Sequence, residues 1–257
     1  MNFVELFETK TITIALVFTR YAAFVAVSPF PGNHAPVSQR AGLAVVLAMV
    51  TGLALPNAGV PRAFDASVIM GGFGEIACGL IIGMVFRLAL AVGDVLGSVA
   101  AQGIGLSTPS VLNPTTEQQE TPVSKVVSLI ALSVVLAAGA HREVLAILMR
   151  SFEVFPVGMG FHAERTSLAL VNLASGAMAQ GVRLGLPALA VSLILQTALA
   201  LVARAAPQLQ IFNVGFTVMV AGGMLAFMGS LDGVVMKLGE SAHMIGPNVE
   251  RILEMAR

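Results

Sequence analysis

The stretch SVIMGGFGEIACGLIIGMVFRLALAVGDVLGSVA, residues 67–100, decides what kind of fold this chain can adopt. It is almost entirely apolar, and its only charged side chains are Glu75, Arg87 and Asp94. As one helix it would be about 50 Å long at 1.5 Å per residue, whereas the hydrocarbon core of a bilayer is about 30 Å thick. We therefore expect this segment to extend past the bilayer, to fold into a hairpin or to be shielded by protein.

The composition of the whole chain places it in or against a membrane. Hydrophobic residues make up 56% of the 257 positions and charged residues 11%, whereas soluble domains contain about 25% charged residues. The formal net charge is zero, so no basic face predicts nucleic-acid binding. The bilayer, or equally apolar partner subunits, must take the place of water. Because Arg20 interrupts the first apolar run, we expect that run to be retained rather than cleaved as a secretory signal.

The rest of the chain repeats the apolar pattern in blocks. Besides 67–100, the blocks are 11–30, 41–55, 123–140, 166–203 and 211–231. Since a spanning helix needs about 20 apolar residues and the period-2 pattern of a barrel is absent, we predict an all-α protein with six or so helical elements. Pro187 should bend or break the block 166–203. The loops carry no excess of lysine and arginine, so the orientation stays open.

Glycines spaced four residues apart recur in the apolar blocks. Such spacing puts both glycines on one helix face, where they let two backbones approach closely. The pattern predicts a crowded helical assembly, although a glycine-rich chain also produces such pairs by chance. The pairs are Gly79 with Gly83, Gly93 with Gly97, Gly181 with Gly185, and Gly229 with Gly233.

Four charged residues fall inside the apolar blocks, namely Glu75, Arg87, Asp94 and Arg183. Charged groups within apolar helices are expensive and usually face protein or a water-filled cavity, so we expect them to be buried charges. A structural set, paired within or between subunits, is favoured. The alternative is a proton or ion relay in a small polytopic solute transporter.

No residue pattern indicates catalysis, a cofactor or a metal site. The histidines, His34, His141, His162 and His243, are scattered without a second ligand at suitable spacing. Cys78 is the single cysteine, so it has no partner in the chain for a disulfide. No G-x-S-x-G elbow and no phosphate-binding loop is present. We expect no enzyme activity, although a serine–histidine intramembrane protease stays open with no residue nominated for it.

A long polar segment, QGIGLSTPSVLNPTTEQQETP at residues 102–122, separates two apolar blocks. Its glycines and prolines disfavour a regular helix. A loop of about 20 residues without secondary structure is usually functional or disordered. At membrane depth such a backbone is tolerated only where it is buried in protein or lines a cavity. A plain exposed loop is the alternative.

Three segments of the chain carry a resemblance to a known family. AQGIGLSTPSVLNP at residues 101–114, FEVFPVG at 152–158 and RAAPQLQIFNVG at 204–215 resemble the FliR family of type III export-gate subunits. The last segment is similar to the family's R-x-A-P-Q-x-x-I-F-x-x-G signature. The resemblance extends over nearly the whole length.

This resemblance implies a fold and a function beyond what the residues alone indicate. It implies a FliP-like part over 1–165, with its plug loop at 102–122, fused to a FliQ-like hairpin and tail over 166–257, packed in a helical assembly. The expected function is that of a non-enzymatic core subunit of the flagellar export gate, which passes unfolded proteins across the bacterial inner membrane at the flagellar basal body. The injectisome counterpart is the alternative. The implied partners are FliP-like, FliQ-like, FlhB-like and FlhA-like components, unfolded exported proteins and membrane lipid.

The resemblance also implies two sets of functional residues. The implied plug residues are Gly103, Gly105, Leu106, Val111, Leu112, Asn113 and Pro114. The implied bend and subunit-packing residues are Arg204, Pro207, Gln208, Ile211, Phe212 and Gly215. The family often has an aromatic residue in the plug, whereas this loop has none, so apolar aliphatic side chains would have to form the seal.

Overall fold

A computed structural model describes residues 3–29, 35–55, 66–103, 122–158, 163–205 and 211–256. All the regular secondary structure within these ranges is helical, so the all-α prediction is confirmed. The elements are α1 Phe3–Val27, α2 Val37–Ala54, α3 Ala66–Gly103, α4 Pro122–Ala137, α5 Ala140–Val154, α6 Ala163–Ala205, α7 Ile211–His243 and α8 Ile245–Ala256.

Six of these helices correspond to the six apolar blocks, and α5 and α8 were not predicted as separate elements. Both missed helices carry apolar residues on one face and charged residues on the other, so neither forms an apolar block. Val144, Ile147 and Leu148 of α5 are buried, while its exposed positions include Arg142 and Arg150. The period of about 3.6 residues, rather than mean hydropathy, marks such a helix.

For each of the two longest helices, the structure removes one of the alternatives that the sequence left open. Helix α3 is continuous over 38 residues, so it is not a hairpin. Helix α6 is continuous over 43 residues with Pro187 inside it, so, of the expected bend or break, the break does not occur. A proline removes one backbone hydrogen bond and crowds the preceding turn. Packing on both sides of Pro187 offsets this loss, since Gly185 fits closely against Val99 and the Ala188 side chain is fully buried.

The chain divides into two compact units. Unit 1 comprises Met1–Leu88, Gly139–Ala174 and His243–Arg257, and unit 2 comprises Ala89–Ala138 and Ser175–Ala242. Each unit is built from separated stretches of the chain, because α3 and α6 are long enough to contribute to both. These units cut across the expected division at residue 165, which concerns likeness to two other subunits and stays a prediction.

In unit 1, α1 and α2 pack against each other, and Lys10 of α1 binds backbone carbonyls at the C-terminal end of α2. The Lys10 Nζ atom donates to the carbonyl oxygen of Leu55 at 2.8 Å and lies 3.4 Å from that of Leu53. These carbonyls belong to the end of α2, where a positive charge is favourable because the last carbonyls have no partner within the helix. Further along, the hydroxyl groups of Tyr21 and Thr51 are hydrogen bonded at 2.8 Å.

In unit 2, α3, α4, α6 and α7 share one apolar core. Leu96 and Leu238 are fully buried at its centre. The other buried members are Val92, Ala100, Val127, Ala131, Ala188, Phe227 and Val234. Alanines and valines predominate, which allows the helix axes to lie close together.

Five helices within the described residues are long and apolar enough to cross a membrane, or up to six if α4 and α5 together form one span. They differ greatly in how much of their surface the chain itself covers. Half of the most apolar window of α3 is buried, whereas only 11% of that of α6 is buried. Most of the apolar surface of α6 is therefore not covered by the described residues.

Candidate functional site: a buried arginine network

The Arg20 side chain of α1 is the centre of a buried polar network in unit 1. Its Nε atom donates to Oε2 of Glu75 on α3 at 2.6 Å. Its terminal nitrogens donate to Oγ of Ser151 on α5 and to the carbonyl oxygen of Phe155, each at 2.8 Å. One guanidinium group thus joins α1, α3 and the end of α5.

The segment FEVFPVG, which carried part of the family resemblance, surrounds this arginine. The Phe152 ring lies 4.0 Å from Cζ of Arg20, which is close enough for a cation–π contact. The backbone nitrogen of Gly158 donates to Oε1 of Glu75 at 3.1 Å. Gly158 has φ 84°, a left-handed conformation that favours glycine. The segment's conformation therefore supplies partners to both charges.

Both side chains of the ion pair are fully buried. A buried charge is tolerated only when it is paired and its remaining donors and acceptors are satisfied. Here Glu75 accepts hydrogen bonds at both of its oxygens, and Arg20 donates from all three of its nitrogens. The network holds several helices in one arrangement through directional bonds, which apolar contacts in a membrane protein cannot supply.

Close approach of α3 to its neighbours in unit 1 depends on glycine. A Cβ atom added at Gly79 would overlap the backbone carbonyl of Arg20. One added at Gly83 would lie 3.0 Å from the carbonyl oxygen of Phe24, and one at Gly71 would lie 2.7 Å from Cα of Gly158. Glycine at these positions lets α3 come near enough for Glu75 to reach Arg20.

Three of the four predicted glycine pairs lie against other helices of this same chain. Gly79 and Gly83 face α1; in unit 2, Gly93 and Gly97 face α4, and Gly181 and Gly185 face α3. The fourth pair, Gly229 and Gly233, has no atom of the described chain within 4 Å of an added Cβ. Most of the glycine pattern is therefore used to pack this chain, and only the α7 pair is open.

The four predicted buried charges have different surroundings. Glu75 is fully buried, but its partner is Arg20 of α1 and not Arg87 of its own helix. Arg87, Asp94 and Arg183 are exposed in the chain, so this chain alone does not bury them, and their burial against other subunits stays a prediction. These three positions lie on sides of α3 and α6 that the described residues leave uncovered.

The structure describes Gly103 alone among the implied plug residues. Gly103 is the last residue of α3, and an added Cβ there would lie 3.0 Å from Cα of Leu189 on α6. It belongs to the helix packing of unit 2. Gly105, Leu106, Val111, Leu112, Asn113 and Pro114 lie outside the described residues.

The implied bend residues fall where two long helices end and begin. Arg204 is exposed in the last turn of α6, and α7 starts at Ile211. Phe212 follows in the first turn of α7, and Pro207 and Gln208 lie outside the described residues. Gly215 is buried, with an added Cβ 3.4 Å from the Leu199 side chain of α6. The α6–α7 contact therefore extends to the ends of both helices.

The sequence interpretation missed Arg20 as a functional residue. Arg20 lies in an apolar run on α1, and Glu75 lies in another on α3. Ionisable residues within apolar helices usually pair with a residue of opposite charge. In the sequence, Arg20 stands out only as an interruption of the first apolar run, because nothing local indicates which helix supplies its partner. Among the residues that the structure describes, no group of three or more histidine, cysteine, aspartate or glutamate side chains could hold a metal ion.

A fold of long apolar helices, joined by a buried ion pair and close glycine contacts, defines an all-helical membrane-type protein. The chain matches the family of bacterial export proteins, family 1, over residues 11–244. It belongs to that family. The match includes all members of the arginine network.

Curated relatives of this chain carry two kinds of name. The flagellar biosynthetic protein FliR of Caulobacter vibrioides is 29% identical over 228 residues, which cover 86% of this chain and 89% of the relative. FliR of Escherichia coli is 26% identical over 206 residues, covering 80% and 78%. The Yop proteins translocation protein T of Yersinia pestis is 25% identical over 214 residues, covering 81% of each chain. The chain is thus similar to both flagellar and Yop translocation proteins.

Proposed function

We propose that this chain is a non-enzymatic core subunit of a flagellar type III protein export gate in the bacterial inner membrane, at the flagellar basal body. The observation that carries the proposal is the family match over residues 11–244, together with relatives named for flagellar biosynthesis. The subunit works by packing and by forming part of a passage, so no reacting group is assigned to it.

The exposed apolar surface supports a role in a larger assembly. Large exposed apolar patches mark contacts with protein or membrane, and this chain has them on α2, α3, α6 and α7. Phe73 of α3, Ile194 of α6 and Leu225 of α7 are each at least 65% exposed. We propose that FliP-like and FliQ-like subunits cover much of this surface, with FlhB-like and FlhA-like components nearby.

We propose that residues 102–122 form the plug of the closed passage for unfolded proteins. The support is their position in the sequence, because they connect the end of α3 to the start of α4, two helices that share the core of unit 2. A polar, proline-containing segment is suited to a channel, where irregular backbone is tolerated. Aliphatic residues within it would supply the seal against ions.

Deletion of the gene tests the proposed function most directly. Loss of this chain should abolish export of hook and filament proteins and leave the basal membrane ring assembled. Purification in a mild detergent followed by mass spectrometry should recover FliP-like and FliQ-like subunits with the chain. Normal motility in the deletion strain, or recovery of the chain alone, would overturn the proposal.

The plug has its own experiment. Removing residues 105–120 from the assembled complex leaves Gly103 and the core of unit 2 intact, and it should raise ion leak across the inner membrane. A matched control replaces the same residues by a flexible segment of equal length. If the deletion variant leaks ions no faster than the unaltered complex, the result would count against the plug.

An injectisome subunit is the second candidate, and the similarity to the Yop translocation protein favours it. The two candidates differ in the proteins that are exported. The chain should restore motility to a strain that lacks its flagellar FliR and should not restore secretion to a strain that lacks the Yop translocation protein T. The reverse result would assign the chain to the injectisome.

A further inference from the structure

Polar side chains from three helices of unit 2 lie at one level. Gly181 of α6 packs against Val92 and Val95 of α3, which places Arg183 and Asp94 at a similar height along the two helices. One turn earlier on α6, Gln180 donates to Oγ of Ser241 at 2.8 Å, which fixes the level of Lys237 and Glu240 on α7.

We name this set the polar belt; its members are Asp94, Ser98, Arg183, Lys237 and Glu240. All five are exposed in the chain. The only ion pair among them joins Lys237 to Glu240 within α7, where the two side chains are 46% and 55% exposed. Asp94 and Arg183 have no ion pair with any residue that the structure describes. The belt therefore contains charges of both signs whose solvation comes from outside the described residues.

An uncharged stretch follows the belt on both helices of the α6–α7 hairpin. Residues 184–203 of α6 and 211–231 of α7 contain no charged residue, and each stretch is about 30 Å long as a helix. We name this part the apolar half of the hairpin. Its large exposed side chains are mostly apolar, as at Leu193, Ile194, Leu225 and Met228, and the exposed polar residues Gln196 and Thr197 are uncharged. On α7 the exposed Asp232 lies between Lys237 and the uncharged stretch, so the surface of unit 2 changes from charged to apolar between the level of Arg183 and that of Asp232.

We propose that the polar belt is in contact with water in the assembled protein and that the apolar half of the hairpin is shielded from it. A charge left in apolar surroundings without a partner is expensive. Water solvates Asp94 and Arg183 without any specific geometry, whereas a protein partner would need an acidic group and a basic group at matching positions. This inference rests on the proposed membrane location, and it assigns an aqueous boundary to unit 2.

Thiol labelling in native membranes tests the boundary, and the chain is well suited to it because Cys78 is its single cysteine and is buried. In a Cys78→Ala background, single cysteines are introduced at Asp94, Ser98, Arg183 and Glu240, and at four apolar positions as matched controls. The controls are Leu193, Ile194, Leu225 and Met228. A membrane-impermeant maleimide is applied to both faces of the membrane, and the unreacted thiols are counted after denaturation.

Cysteines in the belt should react about tenfold faster or more than those in the apolar half, because the thiolate is the reactive form and apolar surroundings disfavour it. Ser98→Cys exchanges one atom only and keeps the test valid if a charged position proves intolerant. Belt cysteines that react as slowly as the controls would overturn the inference. Equal, fast labelling of both sets would overturn it as well.

The same variants separate this inference from the proposed function. Each is scored for motility and for recovery with FliP-like and FliQ-like subunits. Labelling in the expected pattern by a chain that restores neither would overturn the proposed function and leave the aqueous boundary standing. Restored motility together with equal labelling of the belt and the apolar half would overturn the aqueous boundary and leave the proposed function standing.

Discussion

The Nε atom of Arg20 lies 2.6 Å from Oε2 of Glu75, and both side chains are fully buried. The two residues are 55 positions apart, on different helices. Replacing a buried ion pair by well-packed apolar residues is often neutral, whereas removing one partner leaves an uncompensated charge. Removing one member of the pair should therefore destabilise unit 1, because the network joins α1, α3 and α5.

Replacing Arg20 by Met, or Glu75 by Leu, should destabilise the chain by about 3–5 kcal/mol. The measurement is the temperature at which Cys78 becomes reactive to a fluorescent maleimide in mild detergent, because this buried thiol lies in unit 1 and the chain has no tryptophan. Arg87→Met removes an exposed charge and serves as the matched control. The double variant Arg20→Met with Glu75→Leu should recover part of the loss; a double variant less stable than either single one would contradict the argument.

Gly79→Ala should lower the stability by more than Gly229→Ala. The added methyl group at Gly79 meets the backbone carbonyl of Arg20, which cannot move without shifting α1, whereas at Gly229 it meets open space. Alanine at an open helical site is favoured over glycine by about 0.5–1 kcal/mol, so Gly229→Ala should be neutral or stabilising in thermal unfolding. Equal effects of the two substitutions would show that close approach at Gly79 is unimportant.

Gly158→Ala should destabilise unit 1 by about 1–2 kcal/mol, because the left-handed conformation is unfavourable for a residue with a Cβ atom. Gly158 has φ 84°, and Cα of this residue also lies against Gly71. Gly42→Ala is the matched control, since Gly42 is helical and has open space around it. The readout is the rate of Cys78 labelling on heating. A labelling rate of Cys78 equal to that of the parent chain would contradict the prediction.

Leu253→Ala should cost about 2–5 kcal/mol and Glu254→Ala close to nothing. Leu253 is 1% exposed on the face of α8 that packs on α5, while the neighbouring Glu254 is exposed. The comparison isolates the α5–α8 contact because the two positions share a helix and a backbone conformation. Both variants are measured by their amount in the membrane fraction and by their thermal unfolding. A Glu254→Ala chain as unstable as Leu253→Ala would argue that α8 as a whole is marginal.

The apolar blocks predicted six helices well because hydropathy over about 20 residues is a local property. Helices α5 and α8 were not predicted in this way. Each buries only one face, and charged residues on the other face, such as Arg150 and Glu254, lower its mean hydropathy. The glycine pattern indicated close packing, but it did not reveal that Gly79 contacts α1 while Gly229 contacts none of the described residues. Which surface a small residue faces is set by the position of other helices.

By itself, the sequence determined that this is an all-helical, membrane-associated chain, and three of its segments indicated its family. Those properties follow from composition and from short motifs, which are local. Only the tertiary structure decided that Glu75 pairs with Arg20, that α6 continues through Pro187, and that Arg87, Asp94 and Arg183 stay uncovered. Each of these depends on contacts between residues far apart in the chain, where the free energy of burial and pairing outweighs local preference.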